Sequence, residues 1–593
     1  VNYIKENYKL ISLACLAGYS VFKLGSFIIG EILDNCKHNS IVNKAYTEFT
    51  VKRDARIAAF VQKHKNEISE EDILAITKLG VQELVDSIKS KKLTSRKVTL
   101  CYALNAATVG KELNNIGDAD FERALREAEA ADKAISESRD VNDLPPLIGL
   151  PMTVKDHIPV QGYVDTMGFC SNYDRVAEND CPLVEHLRKM GIVVLCKTNI
   201  PMALLCAESE NRILGTSKNI WDFSRTTGGS SGGEGGLQGS FCSPIGIGSD
   251  IAGSIRIPAN FNGVYGFKPT FNKHYYHGMY SGGKSTYDSW TCWSTTTGFL
   301  SRKYEDIILM SQLLFGSFSD YRYDQRRFNT ELFNTKKKLR VACSSNFKGS
   351  ETHSDIAKAI KATAERLKEK TEAKEFNYEV VDFDWNKFIA LFYKGYSLIV
   401  NGDGLDDLYD SLEGEHIIYP YKDYKPLLEA SPLKISLVKK ILSLFTNEQR
   451  MVTDLENIEI TKKTKDFWPL GKEFCKLQDE FYQFAEQNQI DAFVLPVFPF
   501  AAPKNGNADM TNNCIFYSIM ISMLEMPSVS IPCGSVVNTD YETEYKDGLA
   551  GLIKRDVKES QGMPIGFQVA ALPGMDEVCL RVAKDCVTVN NVQ

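Results

Sequence analysis

The sequence predicts an α/β protein with one β-sheet assembled from distant parts of the chain. Between Pro145 and Pro269, short apolar stretches such as 192–196 alternate with glycine clusters, a pattern typical of strand–loop–helix units. Three further strand-like stretches occur much later, at 492–500, 527–532 and 564–570. A common sheet therefore requires segments that are remote in sequence to pair in the fold.

The composition excludes several classes of protein. Of 593 residues, 43% are apolar and 24% are charged, which is ordinary for a globular chain and excludes disorder as the main state. The net charge of −7 argues against a general nucleic-acid binder. The 15 cysteines show neither a regular framework nor a CxxC pair. We therefore expect a reducing, intracellular setting, with neither a metal nor a cofactor.

Residues 10–33 form an apolar stretch near the start of the chain. As a helix rising about 1.5 Å per residue, it could cover a bilayer core of about 30 Å, although Lys23 and Glu31 interrupt it. Two lysines precede the apolar core, as in a signal peptide, but no small-x-small cleavage motif follows. A buried soluble helix is the third alternative. We expect residues 1–34 to be a membrane-anchor helix.

The next segment, 35–95, is predicted to be a helical lead to one large domain, 96–593. Ser69 followed by Glu71 and Asp72 indicates a helix start, because acidic side chains favour the exposed N–H groups of the first turn. These helices show no residues that suggest chemistry.

Residues 431–446 are predicted to form an amphipathic helix. Ser431 and Pro432 suit the N-cap and the first helical position. Apolar residues recur at helical spacing, and three lysines make the segment basic. The helix either packs on the core or lies in the plane of a membrane, with its lysines facing anionic headgroups.

Residues 226–254 are rich in glycine and serine. Glycine at this density costs backbone entropy, so a folded protein retains it mainly where the chain bends unusually or approaches a ligand. A serine nucleophile needs a base, and a tetrahedral acyl intermediate needs backbone N–H groups aimed at its oxyanion. The run 250–254 offers the Ser254 hydroxyl at the end of a tight turn whose N–H groups could converge.

The base for such a serine is not fixed by the sequence alone. Four histidines lie near this region, among them His157. Lys155 lies instead within the apolar, strand-like segment 149–162, where burial would disfavour its charged form and lower its pKa. The alternative is an ordinary surface lysine at a strand end.

Three other patterns suggest different chemistry, but each lacks part of the sequence context that it needs. Residues 278–285 fit GxxxxGK[ST], but they lack the apolar strand before and the helix after that a phosphate-binding loop needs. Residues 228–232 fit GxSxG, but no apolar strand precedes them. His157 beside Asp156 suggests a metal or a charge-assisted pair, but adjacent strand residues face opposite ways.

Three segments together resemble the amidase signature family: GLPMTVKD, TTGGSSGGEGG and GSDIAGSIRIPANFNGVYGFKPT, in this order. The similarity continues to PSVSIPCG and GMPIGFQVAALPGMDE and covers roughly residues 80–590. It implies the amidase-signature fold: one large mixed, twisted β-sheet surrounded by helices, here preceded by the apolar N-terminal helix. It also implies a serine hydrolase that cleaves carboxamide bonds.

The resemblance implies a role for each matching position. Ser254 would be the nucleophile, Ser230 the bridging hydroxyl and Lys155 the base. The oxyanion would be held by backbone N–H groups of Ile251, Ala252, Gly253 and Ser254, and the loops would be braced by Ser231, Asp250 and Arg256. Many family members have glycine where this chain has Ala252, and alanine would strain the turn if that position needs a positive φ.

Within the family, the chain looks most like the fatty acid amide hydrolases, because of its apolar N-terminus, long helical lead and basic amphipathic helix. The substrate would be a lipid amide, with the acyl chain contacting Met202, Leu204 and Leu205, although these residues could equally be ordinary core. A membrane surface and a second copy of the chain are the expected partners. The expected location is an intracellular membrane, held by one N-terminal anchor with the catalytic part on the cytosolic side. The alternatives are a small-amide or glutaminase-type amidase, or a catalytically silent lipid-binding member.

Overall fold

The computed structural model describes residues 34–274, 276–280, 293–320, 322–401, 406–418, 432–445, 453, 456–457, 464–507 and 514–590. At its centre lies one ten-stranded sheet with the strand order β2-β1-β3-β5-β4-β9-β10-β8-β6-β7. The strands are β1 (Pro151–Lys155), β2 (Val193–Thr198), β3 (Ile245–Asp250), β4 (Tyr265–Lys268), β5 (Thr296–Ser301), β6 (Leu339–Cys343), β7 (Tyr378–Asp382), β8 (Ala492–Pro496), β9 (Ser528–Ser535) and β10 (Pro564–Ala571).

The sheet is mixed. Strand β1 runs parallel to β2 and β3, and β6 runs parallel to β7 and β8. The central strands β3, β5, β4, β9, β10 and β8 pair antiparallel in that order. Pairing of β4 with β9 joins segments far apart in the chain. The predicted α/β class, with one large mixed sheet surrounded by helices, is confirmed.

Helices cover both faces of the sheet. They are α1 (Val51–His64), α2 (Glu70–Thr77), α3 (Val81–Lys89), α4 (Ser95–Asn105), α5 (Phe121–Glu137), α6 (Pro182–Lys189), α7 (Gly232–Gly239), α8 (Arg256–Asn262), α9 (Tyr304–Leu314), α10 (Thr330–Phe333), α11 (Ser354–Glu372), α12 (Ile389–Asn401), α13 (Asp406–Ser411), α14 (Pro432–Phe445), α15 (Thr464–Gln487), α16 (Phe516–Met523), α17 (Gly548–Lys558) and α18 (Asp576–Asn590). Residues 34–50 are also helical and lead into α1. The predicted helix start at Ser69 is observed, since its hydroxyl accepts a hydrogen bond from Asp72 N (3.1 Å) at the start of α2.

The sheet separates two apolar layers. Along β8, Ala492 and Val494 belong to one buried cluster, and Phe493 and Leu495 belong to the other. This alternation follows from the two-residue period of a strand. The first layer contains most of the helices before β3, and the second is rich in aromatic side chains from α12, α15 and α16. The sheet is therefore covered on both sides.

The predicted localisation is corrected by the structure. In the part of the chain described, none of the helices combines the length and the apolar character needed to cross a membrane. An intracellular, membrane-held protein with one N-terminal anchor is therefore not supported. The segment proposed as that anchor, 1–34, lies outside the described residues except for its last residue.

The predicted amphipathic helix is observed as α14 (Pro432–Phe445). Its side chains Leu437 and Val438 are 58% and 38% exposed, and Lys434 and Lys440 are also exposed. Whether the helix packs on the core or lies in a membrane plane stays a prediction.

Candidate active site

The three predicted catalytic side chains are positioned by the ends of two neighbouring strands and by one loop. Lys155 is the last residue of β1, and Ser254 lies in the turn between β3 and α8. Strands β1 and β3 pair parallel, Thr153 opposite Gly246, so their carboxyl ends meet at the same edge of the sheet. Ser230 precedes helix α7.

Lys155 lies at the centre of this arrangement and is completely buried. Its Nζ contacts Ser230 Oγ at 2.8 Å, Ser249 Oγ at 3.0 Å and Ser249 O at 3.3 Å. Within the described residues, these partners are hydroxyl and carbonyl oxygens and none is a carboxylate. The lysine is thus hydrogen-bonded but not ion-paired.

Burial lowers the pKa of Lys155 to about 7. The nearby carboxyl groups of Asp250, Glu234 and Asp156 raise the pKa, but their effect is smaller than that of desolvation. Burial also raises the pKa of Glu234 to about 8, so this group is largely uncharged at neutral pH. A substantial fraction of Lys155 is therefore a neutral amine near pH 7, as a general base requires.

Ser230 lies in a loop that packs closely against the chain after Leu205. A Cβ added to Gly229 would lie 2.2 Å from the carbonyl oxygen of Cys206, so only glycine allows this approach. Ser230 is 2% exposed, and the peptide bond between Gly229 and Ser230 is cis. The close contact fixes the Ser230 hydroxyl beside the lysine.

Ser254 is the most accessible of the three side chains, at 9% exposure. Its carbonyl oxygen accepts a hydrogen bond from Ser231 N at 3.1 Å, which joins the two serine loops. Among the hydrogen bonds of the described residues, none connects the Ser230 and Ser254 hydroxyl groups directly. Catalytic hydrogen bonds are often long before substrate binds, so the arrangement remains compatible with proton transfer between them.

The turn before Ser254 has its left-handed residue at Gly253, with a φ of 121°. A Cβ at this position would also lie 2.7 Å from the side chains of Ile257 and Ser518. The φ of Ala252 is not positive. Alanine at position 252 therefore does not produce the strain that the sequence comparison raised.

One of the four predicted oxyanion donors is already hydrogen-bonded within this turn. Gly253 N donates to Asp250 Oδ1 at 2.7 Å and is thus already used inside the protein. The remaining candidates are the N–H groups of Ile251, Ala252 and Ser254. Ile251 is fixed through its carbonyl oxygen, which accepts a hydrogen bond from Trp293 Nε1 at 3.0 Å.

Asp250 and Arg256, predicted to brace the loops, contact each other and the turn between β3 and α8. Arg256 donates to both carboxylate oxygens of Asp250 (3.0 and 2.9 Å) and also to Gln568 Oε1 and Ser522 Oγ. Burial alone would raise the pKa of Asp250, but the arginine and the backbone donors lower it to about 2. Ser231 Oγ donates to Ser249 O at 3.3 Å.

The three predicted acyl-chain residues lie together in a short 3₁₀ helix, Met202–Leu204, and the residue after it. Met202 is buried, and Leu204 and Leu205 are partly buried. They belong to an apolar cluster with Met167, Phe169, Leu408 and Leu412. Because this segment runs directly into Cys206, which abuts Gly229, the cluster lies next to the Ser230 loop.

Two residues that contact each other beside Lys155 were not among the predicted site residues, although His157 was one of the histidines considered as the base. The Ser249 hydroxyl contacts Lys155, and His157 Nε2 lies 2.8 Å from the same hydroxyl. The sequence offered one weak signal, since Ser249 directly precedes Asp250, which was predicted to support the site. Asp156 faces other groups, the backbone and side chain of Thr166 and Met167 N, so it does not pair with His157.

The phosphate-loop pattern at 278–285 lies largely outside the described residues. The GxSxG pattern can be compared with the structure. The serine of the GxSxG pattern, Ser230, has a lysine as its hydroxyl partner, where an α/β-hydrolase elbow needs a histidine.

The chain matches a known protein family and several curated proteins. The family model described as Amidase matches residues 97–580. Fatty acid amide hydrolase 1 of Caenorhabditis elegans is 26% identical over 86% of this chain and 88% of its own length. Fatty-acid amide hydrolase 2-A of Danio rerio is 37% identical over 40% of this chain and 45% of its own length. An acetamidase of Emericella nidulans is 34% identical over 44% of this chain and 46% of its own length.

Solved structures share the fold. A fatty acid amide hydrolase superposes with a TM-score of 0.75 at 21% identity, covering 94% of this chain and 96% of that one. A bacterial aryl acylamidase superposes with a TM-score of 0.62 at 17% identity, covering 86% of this chain and 96% of that one. At such identities the likeness shows the fold alone.

Proposed function

We propose that this chain, which belongs to the Amidase family and is an amide-hydrolysing enzyme, acts on fatty acid amides through an acyl-enzyme on Ser254. The observation that carries the catalytic part is the buried 2.8 Å contact between Lys155 Nζ and Ser230 Oγ, in a setting that lowers the lysine pKa to about 7. A neutral amine in contact with a hydroxyl can accept its proton. The lysine, rather than a histidine, is therefore the proposed base.

In the proposed first step, Lys155 accepts the proton of Ser230, and Ser230 accepts the proton of Ser254. As the O–H bond of Ser254 breaks, its oxygen forms a bond to the substrate carbonyl carbon, and the carbonyl electron pair moves onto oxygen. Lys155 then returns its proton through Ser230 to the amide nitrogen, while the oxyanion re-forms the carbonyl and the C–N bond breaks, which leaves the acyl group on Ser254. This return matters because an amide nitrogen leaves poorly as an anion.

The second step releases the acid. Water attacks the ester carbon of the acyl-enzyme and gives a proton through Ser230 to Lys155, and the proton returns to Ser254 as its bond to carbon breaks. Both tetrahedral states carry a negative oxygen. We assign its stabilisation to the N–H groups of Ile251, Ala252 and Ser254, with Gly253 shaping the turn.

Fatty amides are the proposed substrate class for two reasons. The apolar cluster around Met202, Leu204 and Leu205 lies next to the Ser230 loop and offers a surface for an acyl chain. Burial of each methylene contributes about 0.8 kcal/mol, so a long chain could supply most of the binding energy. Two of the relatives above are named fatty acid amide hydrolases, and a third is named an acetamidase, which makes small amides the second candidate.

A series of primary amides from acetamide to oleamide separates these candidates. If the acyl chain is bound by the apolar cluster, kcat/KM rises with chain length, by up to about fourfold per methylene. Replacement of Leu204 by Asp should flatten this dependence, with Leu74→Asp, at an exposed position of helix α2, as a surface control. A preference for acetamide would favour the small-amide alternative.

Labelling with a fluorophosphonate, followed by peptide mapping, tests the nucleophile. We expect the label on Ser254, and none on the Ser254→Ala variant. Hydrolysis that survives this substitution would contradict the assignment. Absence of both labelling and turnover in the wild-type protein would favour a catalytically silent lipid-binding member.

Contact of helix α14 with a membrane surface stays a prediction, supported by the exposed Leu437 and Val438 beside lysines. Co-sedimentation with anionic vesicles checks this contact, and Leu437→Glu should weaken the binding.

Pairing of the chain into a homodimer likewise stays a prediction, which sedimentation of the purified protein would decide.

A further inference from the structure

Ser249 connects Lys155 to a histidine that the mechanism above does not use. The Ser249 hydroxyl lies 3.0 Å from Lys155 Nζ on one side and 2.8 Å from His157 Nε2 on the other. All three side chains are buried, His157 and Lys155 completely. Because one hydroxyl carries only one proton, the direction of each of these hydrogen bonds constrains the other.

The orientation begins at His157. Its Nδ1 lies 2.8 Å from the carbonyl oxygen of Tyr280, which can only accept a hydrogen bond, so Nδ1 carries the proton. Tyr280 N in turn donates to His157 O at 3.2 Å, which holds the two residues together. Burial and the nearby Lys155 lower the pKa of His157 well below its usual value, so the ring is neutral near pH 7. A neutral ring with a proton on Nδ1 has an unprotonated Nε2.

The Ser249 hydroxyl must therefore donate to His157 Nε2. Its oxygen is then left to accept a hydrogen bond from Lys155 Nζ. The backbone oxygen of Ser249, 3.3 Å from the same Nζ, can also only accept. Both N–H groups of a neutral lysine are thus directed at Ser249, and its lone pair remains for the third neighbour, the Ser230 hydroxyl at 2.8 Å.

We propose that His157 and Ser249 are positioning residues, which orient the lone pair of Lys155 toward Ser230 so that the amine can accept the Ser230 proton. The inference rests on the proposed function, since it assigns an orientation to the base of that mechanism. When Lys155 accepts the proton of Ser230, all three of its N–H groups have acceptors. The heavy atoms need not move between the two protonation states.

Charged groups around this chain of contacts support a neutral imidazole. Burial lowers the pKa of His157 most, and Lys155 in its charged form and Lys197 lower it further, while the hydrogen bond to the Tyr280 carbonyl opposes them. Were the ring to gain a proton, Nε2 would become a donor. The Ser249 hydroxyl would then turn its proton toward the lysine lone pair and compete with Ser230.

The test compares variants that remove or keep one hydrogen-bonding role. His157→Phe keeps a ring but removes the acceptor of the Ser249 proton, whereas His157→Gln can place an amide oxygen near the position of Nε2. Ser249→Ala removes the hydroxyl, and Ser249→Thr keeps it. Each variant is examined for kcat and KM on its best amide, for the pH dependence of kcat/KM, and for the rate of fluorophosphonate labelling at Ser254.

We expect His157→Phe and Ser249→Ala to lower kcat and the labelling rate by about 10- to 100-fold, with KM within about twofold. In His157→Phe, the freed Ser249 hydroxyl donates to the lysine lone pair and stabilises the neutral amine. The rise of kcat/KM on the acid side of its pH profile should therefore move to lower pH, while the maximal kcat/KM falls. His157→Gln and Ser249→Thr should recover most of kcat and of the labelling rate. Their kcat/KM should rise on the acid side at the same pH as in the wild type.

The outcomes distinguish this inference from the proposed function. If the wild-type protein labels on Ser254 but His157→Phe and Ser249→Ala label equally fast with an unchanged pH profile, the positioning role is wrong and the nucleophile stands. Equal losses in all four variants would show that the two residues matter only for packing, which also overturns the inference. If the wild-type protein is not labelled at all, the proposed function itself fails.

Discussion

Lys155 and Lys197 are two completely buried lysines on neighbouring parallel strands, yet their surroundings differ. Lys197 Nζ donates to Asp165 Oδ1 and to Ile158 O, so its charge lies in a buried ion pair. Lys155 contacts only hydroxyl and carbonyl oxygens within the described residues. Burial without a carboxylate partner lowers the pKa of Lys155 to about 7.

This difference shows that burial alone does not make a lysine a base. A buried lysine with a carboxylate partner contributes to the fold as an ion, whereas one that meets only neutral oxygens is available to accept a proton. Both residues are lysines near the carboxyl end of a strand, so the neighbouring side chains decide the role.

Exchange of each lysine for methionine gives the largest contrast in activity. Lys155→Met should lower kcat/KM by about 10³- to 10⁴-fold, because the base is lost. Lys197→Met should change kcat of the folded enzyme by no more than about fivefold, since its amine has no role in the relay. Steady-state kinetics corrected for the active fraction provide the measurement. Comparable losses in both variants would remove the distinction.

The same two variants should rank differently in stability. Lys197→Met leaves the buried Asp165 without its partner, which costs roughly 3–5 kcal/mol in the free energy of unfolding at pH 7. Burial raises the pKa of Asp165 to about 6, so protonation should relieve part of this cost at lower pH. Lys155→Met breaks no ion pair and should not be destabilised. Urea unfolding at pH 5 and pH 7 checks both statements.

The pH dependence of activity should follow the neutral fraction of Lys155. Because the pKa is about 7, kcat/KM should rise through neutral pH and level off above about pH 8. At pH 5 we expect roughly 1% of the plateau value, from one decade per pH unit. A profile that is already flat at pH 5 would mean that the lysine is not the base.

A smaller effect concerns how stability depends on pH. The pKa of Lys155 falls from 10.5 in the unfolded chain to about 7 in the folded protein, so between these values the unfolded chain binds the extra proton. The free energy of unfolding of the wild type, relative to Lys155→Met, should therefore rise with pH in this window. The slope should reach about 1.4 kcal/mol per pH unit and vanish below pH 7. Parallel curves for the two proteins from pH 7 to 9 would contradict the lowered pKa.

Prediction from sequence was strongest where the chain carries a local pattern. The strand near 192–196 was found as Val193–Thr198, and the stretch 564–570 as Pro564–Ala571. Lys155 and Ser230, 75 residues apart, were chosen from their motifs and do meet in the structure. The anchor helix at 1–34 lies outside the described residues, and the localisation built on it was wrong.

The sequence by itself determined the fold class, the order of the motifs and the residue types available for chemistry, because apolar periodicity and glycine clusters are properties of local segments. Only the tertiary structure decided that Gly253, and not Ala252, takes the left-handed position. It also decided that Ser249 lies between Lys155 and His157, which are more than 90 residues away along the chain. Such contacts depend on the pairing of β1 with β3, and on Lys155 having hydroxyl and carbonyl oxygens as its hydrogen-bond partners among the described residues. Neither is encoded in a local pattern.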